Sequence, residues 1–170
     1  MQRSSSSKRR MINLFLLVIL AGLGYLAYQQ VQIENKGVET LYDPAIGESV
    51  DEVTILLPGQ PAIRLESGEP DWQIVAPVEA KADSRYLQQL FTLLSESVLA
   101  EYAAADQDLA AFDLTDKAIR VRFNQVEYAL GSLNPVNHRR YVLLNQRILL
   151  VNEAVYELLS RGVDGFREAP

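Results

Sequence analysis

The chain has 170 residues, of which 48% are hydrophobic, and its 16 basic and 22 acidic residues give a net charge of −6. This length supports one folded domain of ordinary size, and the lack of cysteine excludes a disulfide framework, a thiol nucleophile and lipoprotein processing. Because an acidic protein repels phosphate backbones, nucleic acid is not an expected partner.

An uncharged apolar stretch follows a basic start. Residues 11–28, from Met11 to Tyr28, contain no charged side chain, and four basic residues precede them. Eighteen residues in a helix span about 27 Å, close to the thickness of the bilayer hydrocarbon. The basic residues predict a cytoplasmic tail at 1–10, and Tyr25 and Tyr28 suit the far interface. A cleaved secretory signal is the alternative, but the length of the run and the two tyrosines favour an uncleaved transmembrane helix.

The sequence therefore predicts a protein of the bacterial inner (cytoplasmic) membrane, with one pass, a cytoplasmic N-terminus and a periplasmic C-terminal domain. The part beyond the tail has 12 basic residues against 22 acidic ones, a net charge of −10. This charge also disfavours binding to an anionic membrane surface. Residues 29–51 are polar and broken by Pro44 and two glycines, which predicts a linker. Leu41 and Tyr42 are its candidates for packing on the domain at 52–170.

The first half of that domain predicts a β-meander followed by a helix. Turn residues separate three short strands at 53–57, 63–66 and 71–75. Asp83 is the expected N-cap of the helix, since its carboxylate can accept the free amide hydrogens of the first turn. The apolar stripe of this helix has helical spacing and consists of Leu87, Leu90, Phe91, Leu94 and Val98. Residues 99–102 suit a further strand, and 103–114 a short helix or turn.

The second half repeats this plan. Strands are expected at 119–123, 126–130, 141–144 and 147–151, with Gly131 ending the second of them and a loop at 132–140. Asn152 is the expected N-cap of a last helix that buries Val155, Leu158 and Leu159. The fold class is α+β, with antiparallel β-meanders each followed by a packing helix, suggesting a degenerate two-fold repeat. Whether the halves share one sheet is left open.

No motif in the chain predicts catalysis. One histidine and no cysteine make a zinc site unexpected, and no serine stands in a G-x-S-x-G context. The densest acidic group lacks the loop glycine of a calcium site and is interpreted as a solvated surface; it consists of Asp106, Asp108, Asp113 and Asp116. We therefore expect no catalytic residue, no cofactor and no metal.

Two features are candidates for partner contact. His138, Arg139 and Arg140 form a basic group in an acidic domain, and two guanidinium groups suit a carboxylate or a phosphate. They suit the domain's own acids equally well. Trp72 is either a core aromatic or an interface anchor.

Several short segments together resemble a known bacterial family. They are 71–77 (DWQIVAP), 82–83, 109–114 (LAAFDL), 128–131 (YALG) and 140–142 (RYV). The chain from about 53 to 161 resembles a domain-of-unknown-function family that accompanies gliding-motility-type ABC-transporter auxiliary proteins, although Asp113 stands where the family pattern has glycine. The resemblance implies no catalytic residue and a membrane-anchored accessory subunit.

The first functional hypothesis is therefore a non-enzymatic interaction module of the cell envelope, with ABC transporter subunits or other membrane proteins as partners. The alternatives are a structural inner-membrane platform subunit of a pilus or secretion system and a small anionic-ligand binding domain. Residues 29–51 lack heptads, which disfavours the platform.

Overall fold

The computed structural model describes residues 39–69, 71–152 and 154–168. Thr40–Pro170 forms one compact unit. The predicted cytoplasmic tail and transmembrane helix lie outside the described residues, as does the first part of the predicted linker, residues 29–38. Among the described residues, no helix is long and apolar enough to cross a bilayer.

The strands of the described residues form a single antiparallel sheet. They are β1 (Glu52–Leu56), β2 (Ile63–Glu66), β3 (Gln73–Ala76), β4 (Ala80–Lys81), β5 (Val98–Ala103), β6 (Ile119–Phe123), β7 (Val126–Leu133), β8 (Arg140–Leu144) and β9 (Arg147–Val151). Their order is β4-β3-β2-β1-β6-β7-β8-β9-β5. Because β1 pairs with β6, the two meanders run outward from the centre of the sheet in opposite directions.

One face of the sheet, called the inner face below, packs against two short helices. These are α1 (Ser84–Phe91) and α2 (Tyr156–Ser160). Alternate strand residues point to this face, and the core includes Val121, Phe123 and Tyr128, which are fully buried with Leu90 of α1. Burying each large apolar side chain contributes about 1.5–3 kcal/mol to folding.

The segment before β1 also belongs to this core, so the folded unit begins earlier than residue 52. Leu41 is fully buried and Ile46 nearly so, whereas Tyr42 remains half exposed. The Tyr128 hydroxyl donates a hydrogen bond of 2.6 Å to the Leu41 carbonyl oxygen. Burial raises the pKa of this hydroxyl, which therefore stays protonated as a donor. Residues 40–51, predicted as linker, thus form part of the domain.

The opposite face, called the outer face, is covered by other described residues only over β7–β9. Two 3₁₀ turns, Ala104–Asp106 and Leu109–Phe112, lie in the covering segment 104–118. Beneath it a second apolar cluster forms from Leu114, Ala118, Ala129 and Ile148. Over β1, β2, β6 and the start of β7 the outer face instead carries charged pairs such as Arg122–Glu127, whose nitrogen and oxygen lie 2.8 Å apart.

The structure confirms the expected antiparallel sheet with packing helices. Strand β2 lies at the expected residues, and Asp83 caps α1, since its carboxylate accepts from the Arg85 amide at 2.9 Å. Three expectations about individual helices and strands were wrong. Val98 lies in β5 because α1 changes to a 3₁₀ turn at Thr92–Ser95 and the chain then becomes extended. Asn152 is not a cap, since α2 begins at Tyr156 without a side-chain cap.

Gly131 does not end its strand, which is the third correction. Strand β7 continues through it to Leu133. A Cβ atom at this position would lie 2.2 Å from the Phe112 carbonyl oxygen, closer than any real contact. Glycine is therefore required by the covering segment, which approaches the strand backbone here, rather than by a turn.

Candidate interaction surface

One end of the sheet brings together the β7–β8 loop, the start of β5 and the point where the chain enters the domain. Leu133 pairs with Arg140, Arg140 with Val151, and Val151 with Val98. Ser97, next to Val98, forms an antiparallel bridge with Thr40. We call this the entry end of the sheet.

The β7–β8 connection at the entry end, loop 134–139, is held by its own hydrogen bonds. The Asn134 amide donates to the Arg139 carbonyl oxygen at 2.7 Å, and the His138 amide donates to the Asn134 carbonyl oxygen at 2.9 Å. The Asn134 side chain accepts from the Val136 amide at 2.8 Å and donates to the Tyr141 hydroxyl at 2.7 Å. These bonds fix the direction in which the tip of the loop points.

The tip of this loop is apolar and its base is basic. Val136 is 88% exposed, the highest value among the exposed large apolar side chains of the described residues, and Leu133 is 46% exposed. His138 is exposed and Arg139 is partly exposed. The exposed aliphatic side chains of Val136 and Leu133 beside the guanidinium group of Arg139 form a candidate contact surface.

Arg140 is separated from the other two basic residues of the predicted group. Arg140 is only 8% exposed. Its guanidinium group donates a hydrogen bond of 2.6 Å to the Gly131 carbonyl oxygen and lies 3.6 Å from the centre of the Tyr156 ring. It lines a cleft of about 190 Å³ together with Lys117 and Ser132. The cation–π contact and the hydrogen bond show that Arg140 joins β8 to β7 and α2.

Trp72 packs against the core. Its ring meets Phe91 edge-to-face with 5.8 Å between centroids. Phe91 lies 6.0 Å from Phe123, and Phe123 lies 5.8 Å from Tyr128. This series of rings connects β3 through α1 to the centre of the sheet. Trp72 is partly exposed, and its role as an interface anchor stays a prediction.

Strand β5 lies at the edge of the sheet. Within the part of the chain that the structure describes, it pairs only with β9. Leu99 is 54% and Tyr102 is 44% exposed, and the register is irregular between Val98 and Ala100. Sequence reasoning suggested a strand here but not its position at an edge, because strand order depends on contacts distant in the chain.

The titratable groups with shifted pKa values serve local structure. The side-chain hydrogen bond from Arg85 lowers the pKa of the Asp83 carboxyl, and hydrogen bonds to Asp71 and Glu168 raise the pKa of Lys81. Asp108, one of the predicted acidic group, accepts from the Ala110 amide at 3.0 Å and caps a 3₁₀ turn. Among the described residues, there is no cluster of three or more histidine or acidic side chains that could hold a metal ion.

A comparison with models of protein families shows which family the chain belongs to. A family model described as a domain of unknown function, DUF4340, matches residues 72–169. The chain belongs to this family. The match begins at Trp72 and spans α1, β5–β9 and α2, so it confirms the resemblance at the level of the family. No curated protein and no solved structure matches the chain significantly.

Proposed function

We propose that this DUF4340 protein is a membrane-anchored, non-enzymatic interaction module of the bacterial cell envelope, associated with an ABC-type transport system. The domain is displayed on the periplasmic side, and an extended segment of a membrane protein of that system adds to the edge of its sheet along β5. The exposed edge strand with Leu99 and Tyr102 is the observation that carries this proposal.

Strand addition follows from the physics of an open edge. An edge strand presents unpaired N–H and C=O groups to an extended peptide, and its side chains provide specificity. Tyr102 offers a large ring with a polar hydroxyl, the type of side chain that contributes most to interfaces. A six-residue edge with such side chains risks aggregation unless a partner covers it.

Anchoring makes a small interface sufficient. Residues 11–28 are uncharged and apolar, and we propose that they hold the domain at the membrane where a transporter subunit also resides. A tethered domain meets its neighbour at an effective concentration in the millimolar range. A weak strand-to-strand contact is then occupied without a large buried area.

Site-specific photo-crosslinking in the native host tests this proposal. A photoreactive residue replaces Leu99 or Tyr102 in the full chain, and the expected product joins the protein to a membrane subunit of an ABC-type transporter. The matched control is Val78, which is 40% exposed and lies between β3 and β4 at the other edge. Leu99→Lys with Tyr102→Lys should abolish co-purification of the partner, whereas Val78→Lys should retain it.

Four results would overturn parts of this proposal. Identical products from Val78 and from β5, or products confined to the chain's own N-terminal residues, would contradict strand addition. A subunit of a pilus or secretion platform as the crosslinked partner would replace the transport assignment. A C-terminal reporter active only in the cytosol would contradict the anchored topology.

A further inference from the structure

We propose that loop 134–139 docks on the outer leaflet of the membrane that anchors the chain, with Val136 among the lipid headgroups and Arg139 and His138 against anionic lipid phosphates. This inference rests on the anchoring proposed above and goes beyond it, because it assigns a lipid-binding surface and an orientation to the domain. The surface is distinct from the β5 edge proposed for the protein partner.

The position of the loop supports this contact. The loop lies at the entry end, in the same row of paired residues as Val98, whose neighbour Ser97 bridges Thr40. Only residues 29–39 separate the apolar stretch from Thr40, and eleven residues reach at most about 36–40 Å. A folded unit of this size is itself about 35 Å across. The entry end can therefore reach the bilayer far more readily than the opposite end.

The chemistry of the loop fits an interface between water and lipid. Val136 is 88% exposed and stands between Pro135 and Asn137, so its aliphatic side chain is the part that enters first. The hydrogen bonds of Asn134 hold the loop in place, so docking costs little conformational entropy. An aliphatic tip beside the guanidinium group of Arg139 combines the two attractions that bind proteins to anionic bilayers.

Local charge decides the electrostatics although the domain as a whole is acidic. Residues 133–139 contain Arg139 and His138 but no acidic residue. At physiological ionic strength charges act over a Debye length of about 8 Å. The nearer acidic group is Asp113, which lines the cleft with Ser132 and Arg140 and forms an ion pair of 3.7 Å with Lys117. Glu96, at the β5 side of the entry end, is about 14 Å away, three strand spacings from Leu133. The loop therefore presents a cationic contact within an acidic domain, contrary to the expectation from net charge.

Quenching by lipids in nanodiscs tests the proposal on the full chain. Trp72 is the only tryptophan and is replaced by Phe, and a single reporter is introduced as Val136→Trp or, at the opposite end of the sheet, as Gln125→Trp. Gln125 is exposed in the β6–β7 turn. In discs with phosphatidylglycerol and brominated lipids we expect several-fold stronger quenching at position 136 than at position 125.

A charge substitution tests the electrostatic contribution of Arg139 to the docking of the loop. Each basic group near an anionic surface favours binding by a factor of roughly five, so Arg139→Gln should lower the docked population about fivefold in anionic discs and leave neutral discs unchanged. Arg64→Gln removes the same charge from the exposed outer face and should have little effect. In the unaltered chain, hydrogen exchange of residues 134–139 should be slower in anionic discs than in neutral discs, which tests the docking without any substitution.

The outcomes separate this inference from the proposed anchoring. Equal quenching at positions 136 and 125, with the protein embedded in the disc and the loop unprotected from exchange, would overturn loop docking alone. Failure of the chain to insert into discs would overturn the anchoring and the docking together. Quenching at position 136 that is equal in neutral and anionic discs would contradict the role of Arg139.

Discussion

The two halves of the sheet differ on their outer faces although both are meanders followed by a helix. In the first half the outer face is open, and in β2 the exposed Arg64 and Glu66 alternate with the buried Ile63 and Leu65. In β7 and β9 the same face lies under segment 104–118, and buried residues follow one another directly, as from Ile148 to Val151. A strand covered on both faces loses its alternation because both sets of side chains leave water.

This comparison shows what the covering segment contributes. Ala129 and Ile148 would be exposed in a meander like the first one, but Leu114 and Ala118 pack on them. The rings of Phe112 and Tyr141 meet edge-to-face with 4.7 Å between centroids. The second half is thus a three-layer arrangement, with helices on the inner face and 3₁₀ turns on the outer one.

The largest expected effect comes from truncating a buried side chain on the covered outer face. Ile148→Ala should lower the free energy of unfolding by about 2–5 kcal/mol, because it removes packed methyl groups and leaves a cavity. Arg64→Ala, on the open outer face with a side chain 54% exposed, should change it by less than about 0.5 kcal/mol. Urea unfolding of the full chain in detergent measures both, and equal losses would show that the segment does not seal this face.

A smaller loss is expected where the covering segment approaches the strand. Gly131→Ala should cost about 1–3 kcal/mol, because its Cβ would lie 2.2 Å from the Phe112 carbonyl oxygen. Gly68→Ala is the control in the first half, where the Cβ would lie 2.9 Å from the Asp71 carbonyl oxygen in an exposed loop. The same unfolding measurement should give a smaller loss for Gly68→Ala, and the reverse order would contradict the close approach.

The smallest expected effect distinguishes the two helices. Asp83 caps α1 and bonds to Arg85, whereas α2 has no side-chain cap. The bond lowers the pKa of Asp83 below its ordinary value of 3.8, so its stabilisation is present above this pH and is lost as the pH falls through the folded pKa. Asparagine retains the capping oxygen, and Asp83→Asn therefore removes only the charge.

Melting temperatures at pH 7 and pH 3 test this assignment. Asp83→Asn should melt slightly below the unaltered chain at pH 7, and the difference should shrink as the carboxyl becomes protonated. The effect is small because the Arg85 side chain is 81% exposed and water screens the pair. A difference that grows at low pH would contradict the direction of the shift.

Local patterns predicted much of the fold. The period-two alternation of 119–123 and 126–130 placed the β6–β7 hairpin, and the Asp83 cap placed the start of α1. The buried positions of α2 followed from spacing alone. These features depend on residues close in sequence, since side-chain periodicity and capping act within one element.

The sequence predicted less of the candidate surface than of the fold. The sequence indicates the basic group at 138–140, but only the structure separates buried Arg140 from exposed His138 and partly exposed Arg139. The sequence does not single out Val136, because one valine in a polar loop has no periodic pattern. Its exposure depends on the hydrogen bonds of Asn134, which the spacing of residues does not reveal.

Local periodicity and short motifs were sufficient to predict the class of fold, the family and the positions of most strands. Only the folded structure shows that both halves form one sheet, that β5 returns to its edge, and that Leu41 belongs to the core. It also decided that Gly131 lies within a strand. These features depend on contacts between residues far apart in the chain, where chain entropy and packing over the whole domain determine which pairs meet.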